Sequence, residues 1–168
     1  MQTDRLRKIA DSAMRVLATL GARGLTHRAV DLHAGLPTGS TSYYANSRAA
    51  LLQFALNSVM DKDREYFQSF ISPGVGVDLD GLLDKLSAPE NRELALARFE
   101  LFLEAARNTE FQALMEDHRR NFIGLATKAL EHKGVKEPRA EAVKLITESE
   151  GRLFQTLVFR PVNWLENG

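Results

Sequence analysis

The stretch THRAVDLHAGLPTGSTSYY, residues 26–44, predicts two short helices joined by a turn. Thr26 is placed to cap the first helix, because its hydroxyl can accept a hydrogen bond from an unpaired backbone N–H. Gly35 supplies the turn, and Pro37 suits a first helical position, where its missing N–H costs nothing. We therefore predict a helix-turn-helix whose second helix runs from about Pro37 to Ala45.

The predicted second helix carries small polar groups on its outer side. Thr38, Ser40, Ser42 and Tyr43 offer hydroxyl and phenol groups, and Gly39 lets the backbone approach another surface. Such groups can donate to phosphates and base edges with little bulk, as a helix entering the roughly 12 Å major groove must. The pattern favours double-stranded DNA as a partner.

A longer helix precedes this motif, from about Asp4 to Leu20. Gly21 and Gly24 are expected to end it, since glycine most easily adopts the left-handed backbone past a helix end. Residues 1–46 are thus predicted to form a three-helix head. Its first helix has an apolar stripe at helical spacing, made of Ile9, Ala13, Val16, Leu17 and Leu20.

Charge is unevenly distributed in this chain of 168 residues with net charge zero. Residues 1–50 carry seven Lys and Arg against three Asp, a net of +4, so the remainder carries −4. A basic head suggests a polyanionic partner, and the alternative interpretation is that these charges only solvate the faces of two helices. The chain contains no cysteine and shows no signal-like or membrane-spanning apolar run, so we expect a cytoplasmic protein without a membrane partner.

One pattern runs through the head without a gap over about thirty residues. It consists of the glycine-rich turn Gly21 to Gly24, Thr26, Arg28, Val30, Ala34-Gly35-Leu36, Gly39-Ser40, Tyr43-Tyr44, Ser47-Arg48 and Leu51-Leu52. With this pattern the head resembles the tetracycline-repressor family of bacterial transcriptional regulators. The similarity is clear for about residues 5–55, and beyond them it depends on a helical pattern alone.

This resemblance implies phosphate contacts from Thr26, Tyr44 and Arg48, and contacts to bases or the groove from other head residues. Thr26 has the alternative role of helix cap alone, and Arg48 that of offsetting nearby acids. The two tyrosines could instead be packed, but a short helix cannot bury both rings. The full DNA-binding set is Thr26, Arg28, Thr38, Gly39, Ser40, Ser42, Tyr43, Tyr44 and Arg48.

The head also departs from the family pattern. Thr41 and Ala45 stand where a large aliphatic residue and a phenylalanine are usual, which removes apolar burial from the inner face of the recognition helix. Asp31 replaces a common alanine, and Pro37 replaces a serine cap. We therefore expect a head that is less firmly packed when it is free of DNA.

Residues 47–168 are predicted to form a helical regulatory and dimerisation body, so the fold class is all-α. The first body helix, at about residues 47–70, links the head to the body. The other helices are predicted at about Leu79–Leu86, Pro89–Arg107, Glu110–Lys133 and Arg139–Phe159.

The Pro89–Arg107 helix is apolar nearly all round and should therefore lie centrally. An apolar effector is expected beside it. Arg98 either extends its charged end to solvent or pairs with a carboxylate, or else it anchors an anionic or carbonyl-bearing ligand. His118 is more often a hydrogen-bonded core or interface residue than a ligand contact. The candidate ligand-binding residues are Arg98, Phe99, Phe102, Leu103, Met115, His118 and Phe122.

The last two helices offer a candidate dimer interface. Gly151 inside a helix costs about 1 kcal/mol relative to alanine, which suggests close approach by another backbone. The resemblance implies an intersubunit four-helix bundle, and an intrachain core is the alternative. The candidate interface residues are Leu125, Ala129, Ile146, Gly151, Phe154 and Leu157.

No catalytic set, cofactor motif or metal-ligand spacing is evident in the sequence, so we expect neither an enzyme nor a cofactor. We predict a ligand-responsive homodimeric repressor that binds a palindromic operator and is released by a small apolar effector. The alternatives are a helical protein-interaction module and a regulator without a small-molecule effector.

Overall fold

A computed structural model describes residues 2–69, 71–72, 76–77 and 79–159. These residues confirm the all-α prediction, with one antiparallel pair of two-residue strands, β1 (Ile71–Ser72) and β2 (Gly76–Val77), as a minor addition. The helices are α1 (Gln2–Gly24), α2 (His27–Ala34), α3 (Ser40–Tyr44), α4 (Arg48–Ser69), α5 (Leu79–Ser87), α6 (Arg92–Ala105), α7 (Thr109–His132) and α8 (Pro138–Val158).

Helix α1 is longer than predicted and is broken near its end. Gly21 has φ +68, so the helical geometry is interrupted there before a last short segment reaches Gly24. The predicted apolar stripe is buried from Ile9 to Leu17, but Leu20 is 60% exposed. The assignment of Leu20 to the core was wrong because the stripe ends where the break redirects the chain.

The second helix of the helix-turn-helix, α3, is shorter than the predicted span from Pro37 to Ala45. Gly39 has φ +92, a left-handed conformation outside the range of a right-handed helix, so α3 begins only at Ser40. Pro37 therefore lies in the turn, where its carbonyl accepts a hydrogen bond from the Ser40 N–H at 3.1 Å. The placement of Pro37 at the start of the helix was wrong.

Two buried clusters hold the described residues together. The first joins head and body, since Ile9 and Val30 share it with Leu56 of α4 and Leu101 of α6. The second lies between α4, α7 and α8 and includes Phe67. The prediction of a central α6 is confirmed, because this helix packs against α1, α4, α7 and α8. The predicted boundary after residue 46 is not marked by a gap in packing.

The predicted helix from Pro89 to Arg107 is divided in the structure. Pro89–Asn91 forms a 3-10 turn before α6 begins. The buried Asn91 side chain fixes this turn, because it accepts from the Tyr66 hydroxyl and donates to the Lys85 carbonyl, each at 2.7 Å.

The end of the predicted linking helix, Phe70, lies outside the described residues. Of the helices described, none is long and apolar enough to cross a bilayer.

Candidate functional site

The turn between α2 and α3 is closed by local hydrogen bonds. The Thr26 hydroxyl accepts from the Ala29 N–H at 3.2 Å, so its predicted role as helix cap is confirmed. Gly35 adopts φ +60, and the Leu36 N–H then donates back to the Asp31 carbonyl at 2.9 Å. This geometry ends α2 and directs the chain toward α3.

Asp31 caps the recognition helix from the preceding helix. Its two carboxylate oxygens accept hydrogen bonds from the backbone N–H groups of Gly39 and Thr41, both at 2.7 Å. Both bonds are short, as expected for charge-assisted contacts, and the Asp31 side chain is almost completely buried. The expectation that Asp31 loosens the head was wrong, because this residue ties α3 to α2.

The electrostatics of Asp31 agree with this role. Burial alone would raise its pKa, but hydrogen bonding from Thr41 and Gly39, with a smaller effect from nearby His27, lowers it below the usual aspartate value. The Thr41 hydroxyl contributes to this lowering without making a hydrogen bond of regular geometry. The carboxyl group is therefore held in the charged form that the α3 amides require.

The outer side of the helix-turn-helix presents most of the predicted DNA-binding residues to solvent. Tyr43 is 80% exposed and meets the half-buried Tyr44 edge to face, with ring centroids 4.9 Å apart. On the inner side, Thr41 and Ala45 are fully buried despite their small size. The exposed members of the predicted set are Thr26, Arg28, Thr38, Gly39, Ser42, Tyr43 and Arg48, and the half-buried members are Ser40 and Tyr44.

Arg48 joins the head to α6 rather than standing free. Its guanidinium donates to both oxygens of Glu104, at 2.9 and 3.2 Å, and to the Ala22 carbonyl at 3.1 Å. The Ala22 N–H donates in turn to Glu100 at 3.1 Å. The peptide groups freed by the Gly21 break are thus bound by the body. This pairing lowers the pKa of Glu104, chiefly through the hydrogen bonds from Arg48, and raises that of Arg48.

The body contains a partly open cavity of about 350 Å³ between α4, α6, α7 and α8. Most of its wall is aromatic or aliphatic, in keeping with the usual composition of small-molecule sites. Phe99 and Leu103 do not line it, since Phe99 packs against Phe102 and Phe154, and Leu103 is half exposed. The predicted ligand-binding residues that do line it are Arg98, Phe102, Met115, His118 and Phe122.

Sequence reasoning missed the contributions of α4 and α8 to this cavity. Met60, Asp63 and Phe67 reach it from α4, and Ile146 and Leu153 reach it from α8. Helical periodicity shows which side of each helix is apolar, but it does not show which helix lies opposite. The sequence did predict a carboxylate beside Arg98, and in the structure this carboxylate belongs to Asp63 of α4.

Two ion pairs lie in the cavity wall. The guanidinium of Arg98 donates from Nε and Nη2 to the carboxylate of Asp63, and both side chains are largely buried. Arg119 donates from Nη1 to both oxygens of Glu150, at 2.6 and 2.9 Å. The pairing expected for Arg98 is confirmed.

His118 is half-buried at the same wall. Desolvation and the nearby positive charge of Arg64 lower its pKa, and Asp117 and Asp61 offset part of that effect. The lowered pKa favours the uncharged form of the ring, which suits an apolar cavity. The described residues contain no cluster of His, Cys, Asp or Glu able to hold a metal ion.

The predicted dimer residues divide into two groups. Ala129 and Ile146 are buried within the chain, in the second cluster. Leu125, Gly151 and Phe154 are exposed on α7 and α8, and Leu157 is partly exposed. A Cβ atom added at Gly151 would meet nothing within 4 Å, so no close backbone approach occurs there inside the chain.

Comparison with known proteins places the fold among transcriptional regulators. Residues 78–164 match the family described as tetracyclin repressor-like, C-terminal domain. The chain is similar to the structure of a TetR-family transcriptional regulator from Rhodococcus sp., at 24% identity and TM-score 0.76, over 92% of this chain and 88% of that one. No curated protein matches the chain.

Two further similar structures contain bound small molecules. One is a transcriptional regulator from Saccharomonospora viridis in complex with choline, at 16% identity and TM-score 0.73, covering 95% of this chain and 88% of that one. The other is the multidrug binding protein EbrR complexed with malachite green, at 22% identity and TM-score 0.68, covering 92% and 88%. At these identities the likeness concerns the fold.

Proposed function

Because the chain belongs to the tetracycline-repressor family of transcriptional regulators, we propose that it is a homodimeric repressor that binds a palindromic operator and is released by a small apolar effector. The family consists of non-enzymatic DNA-binding regulators, so the expectation of a protein without enzymatic activity is confirmed. In this proposal residues 1–46 are the DNA-binding head, residues 47–168 are the regulatory and dimerisation body, and the protein acts in the cytoplasm.

The observation that carries the proposal is the recognition helix itself. Helix α3 has only five residues, too few to be stable alone, yet Asp31 fixes its first turn while Tyr43 projects into solvent. A short, rigidly capped helix with an exposed phenol and hydroxyls is suited to major-groove contacts. The alternative of a protein-interaction module predicts no DNA affinity that falls steeply with salt.

Selection of bound DNA from a random pool tests this function directly, and an enriched palindrome is expected. On that operator, Tyr43→Ala should weaken binding about tenfold or more, because loss of one base or groove contact costs about 1–3 kcal/mol. Leu32→Ala is the control, since Leu32 is 83% exposed on α2 and lies outside the predicted contact set. Equal operator affinity for wild type and Tyr43→Ala, measured by fluorescence anisotropy, contradicts the assignment.

The effector part of the proposal is supported by the cavity between α4, α6, α7 and α8. Its volume falls within the usual range for small-molecule sites. Related folds have been solved with choline and with malachite green. Helix α4 connects the cavity to the head, because Met60 and Phe67 line the cavity while Leu51 and Leu52 lie in the first buried cluster. A ligand that favours one position of α4 would thereby change the distance between the DNA-binding heads of the two subunits in the proposed dimer.

The dimer part of the proposal is supported by the outer side of α8. Phe154 and Val158 are 44% and 53% exposed and share a helix face with Gly151, at spacings of three and seven residues. An apolar face beside a mid-helix glycine permits close packing by a partner helix, as in a four-helix bundle.

Gly151→Trp is expected to convert the dimer to monomer at micromolar concentration, because the indole would occupy the space of the partner helix. The fold of the subunit should be kept, since a Cβ added at Gly151 meets no atom of the described residues within 4 Å and the position is exposed. Lys136→Trp, at an exposed site between α7 and α8, is the matched control. Sedimentation equilibrium that shows a dimer for Gly151→Trp rules out this face as the interface.

A further inference from the structure

The end of the recognition helix is held by a residue outside the predicted DNA-binding set. His27, at the start of α2, is half-buried, and its ring Nε2 lies 2.5 Å from the carbonyl oxygen of Ala45, the residue that follows α3. A carbonyl oxygen only accepts hydrogen bonds, so Nε2 is the donor and carries a hydrogen. This contact spans 18 positions of sequence and joins the start of α2 to the end of α3.

The Ala45 carbonyl needs such a donor because it lies at a helix end, where the last carbonyls have no partner within the helix. The Ala45 N–H still donates to the Thr41 carbonyl at 2.8 Å, but the Ala45 backbone has left helical geometry, with φ −127 and ψ 92. The residue is also fully buried. A buried carbonyl without a donor is costly, so the His27 ring stabilises the position at which α3 ends.

His27 and Asp31 act on α3 from the same side of α2. They are four residues apart, about one helical turn, and so share one face of that helix. Asp31 accepts from backbone N–H groups at the start of α3, and His27 donates to a backbone carbonyl at its end. Each side chain matches the unpaired backbone groups that it meets. One face of α2 therefore holds both ends of a five-residue helix.

The second fixed point matters for the side chains that α3 presents to solvent. A short helix fixed only at its start can still tilt about its first turn, and tilting displaces the residues of its last turn most. Tyr43 and Tyr44 lie there, immediately before Ala45, and Tyr43 is the more exposed of the two. Recognition requires such side chains to be held within about 0.5 Å of their productive position. The contact from His27 to Ala45 supplies this restraint.

We propose that His27 is a positioning residue for operator recognition, which acts on DNA only through the orientation of α3. This inference rests on the proposed function, since it assigns a further residue to the same DNA-binding site. Sequence-specific binding depends on how groups are placed at base edges, whereas non-specific binding depends on the positive charge that faces the phosphates. Loss of the His27 contact should therefore weaken the first and spare the second.

Three substitutions of His27 differ in where they offer an N–H group. His27→Gln places its amide nitrogen at about the reach of Nε2, His27→Asn places it closer to the backbone, and His27→Leu offers no donor. His27→Leu and His27→Asn should weaken binding of the selected operator about fivefold to tenfold, the size of effect of one net hydrogen bond. His27→Gln should restore most of that affinity. Fluorescence anisotropy should show unchanged binding of all three variants to a random-sequence duplex of the same length, which also shows that their heads are folded.

A spectroscopic measurement tests the contact without DNA. In a long-range proton–nitrogen correlation spectrum of the full chain under mildly alkaline conditions, the His27 ring should carry its hydrogen on Nε2 and none on Nδ1. The spectrum of His27→Gln identifies the signals, because among the four histidines of the chain it lacks only this one. A hydrogen on Nδ1 instead of Nε2 overturns the proposal.

The outcomes separate this inference from the regulatory function. An enriched operator that His27→Leu binds as tightly as the wild type rejects the role of His27 and leaves the DNA-binding function in place. Equal weakening on the operator and on the random duplex, or failure of His27→Gln to restore binding, shows that His27 does not act by positioning α3. If selection enriches no DNA at all, the regulatory function itself fails, and this inference fails with it.

Discussion

Arg98→Leu is expected to lower the free energy of unfolding by about 3 kcal/mol, because it leaves the Asp63 carboxylate largely buried without its partner. The loss is expected to exceed that from the exposed pair of Arg120 and Asp117, whose removal should cost about 0.5 kcal/mol. Urea denaturation followed by circular dichroism measures both values.

A double variant separates the ion pair from simple packing. Asp63→Leu combined with Arg98→Leu removes both charges and fills the site with apolar atoms, so it should recover most of the lost stability. If the double variant is as unstable as Arg98→Leu alone, the cost comes from lost packing of the arginine stem and not from the unpaired carboxylate.

Asp31→Ala is expected to destabilise the head by about 2–4 kcal/mol and to abolish operator binding. It removes two hydrogen bonds to a charged acceptor and leaves the N–H of the buried Thr41 unsatisfied. Asp31→Asn should have an intermediate effect, since its amide provides only one acceptor oxygen. Asp117→Asn, at an exposed carboxylate, is the control. Unchanged thermal unfolding of Asp31→Ala would show that α3 does not need this cap.

The lowered pKa of Asp31 gives this prediction a pH dependence. A carboxyl group whose pKa is lower in the folded state stabilises the fold fully above its unfolded value of about 3.9. That contribution disappears as the pH falls through the lower folded value. The stability difference between wild type and Asp31→Asn should therefore be greatest near neutral pH and should shrink in acid.

Local sequence signals predicted the helices well but not the start of α3. Thr26 and Gly35 act within their own turn, so their roles were readable from spacing. The start of α3 depends instead on a carboxylate eight and ten residues upstream, which reaches Gly39 and Thr41 only after α2 has formed. The preference of proline for the first position of a helix predicted that α3 begins at Pro37. The hydrogen bonds from Gly39 and Thr41 to Asp31 hold a later start instead.

The same limit applies to the cavity. On α6 nearly every side is apolar, so periodicity did not distinguish Phe102, which lines the cavity, from Phe99, which does not. Asp63 lies 35 positions before Arg98, and no local pattern connects them. Their pairing became visible only when α4 and α6 were placed side by side.

The ion pair between Arg48 and Glu104 affects how steeply DNA binding by this head would depend on salt concentration. A guanidinium carries one positive charge, and here a carboxylate of α6 neutralises it. A cation that is already neutralised releases no counterion from DNA, whereas each new phosphate contact contributes about 0.9 to the salt exponent. In the proposed DNA complex, the position of α6 would therefore decide whether Arg48 can displace a counterion, and Glu104 would control one charge of the predicted DNA-binding set.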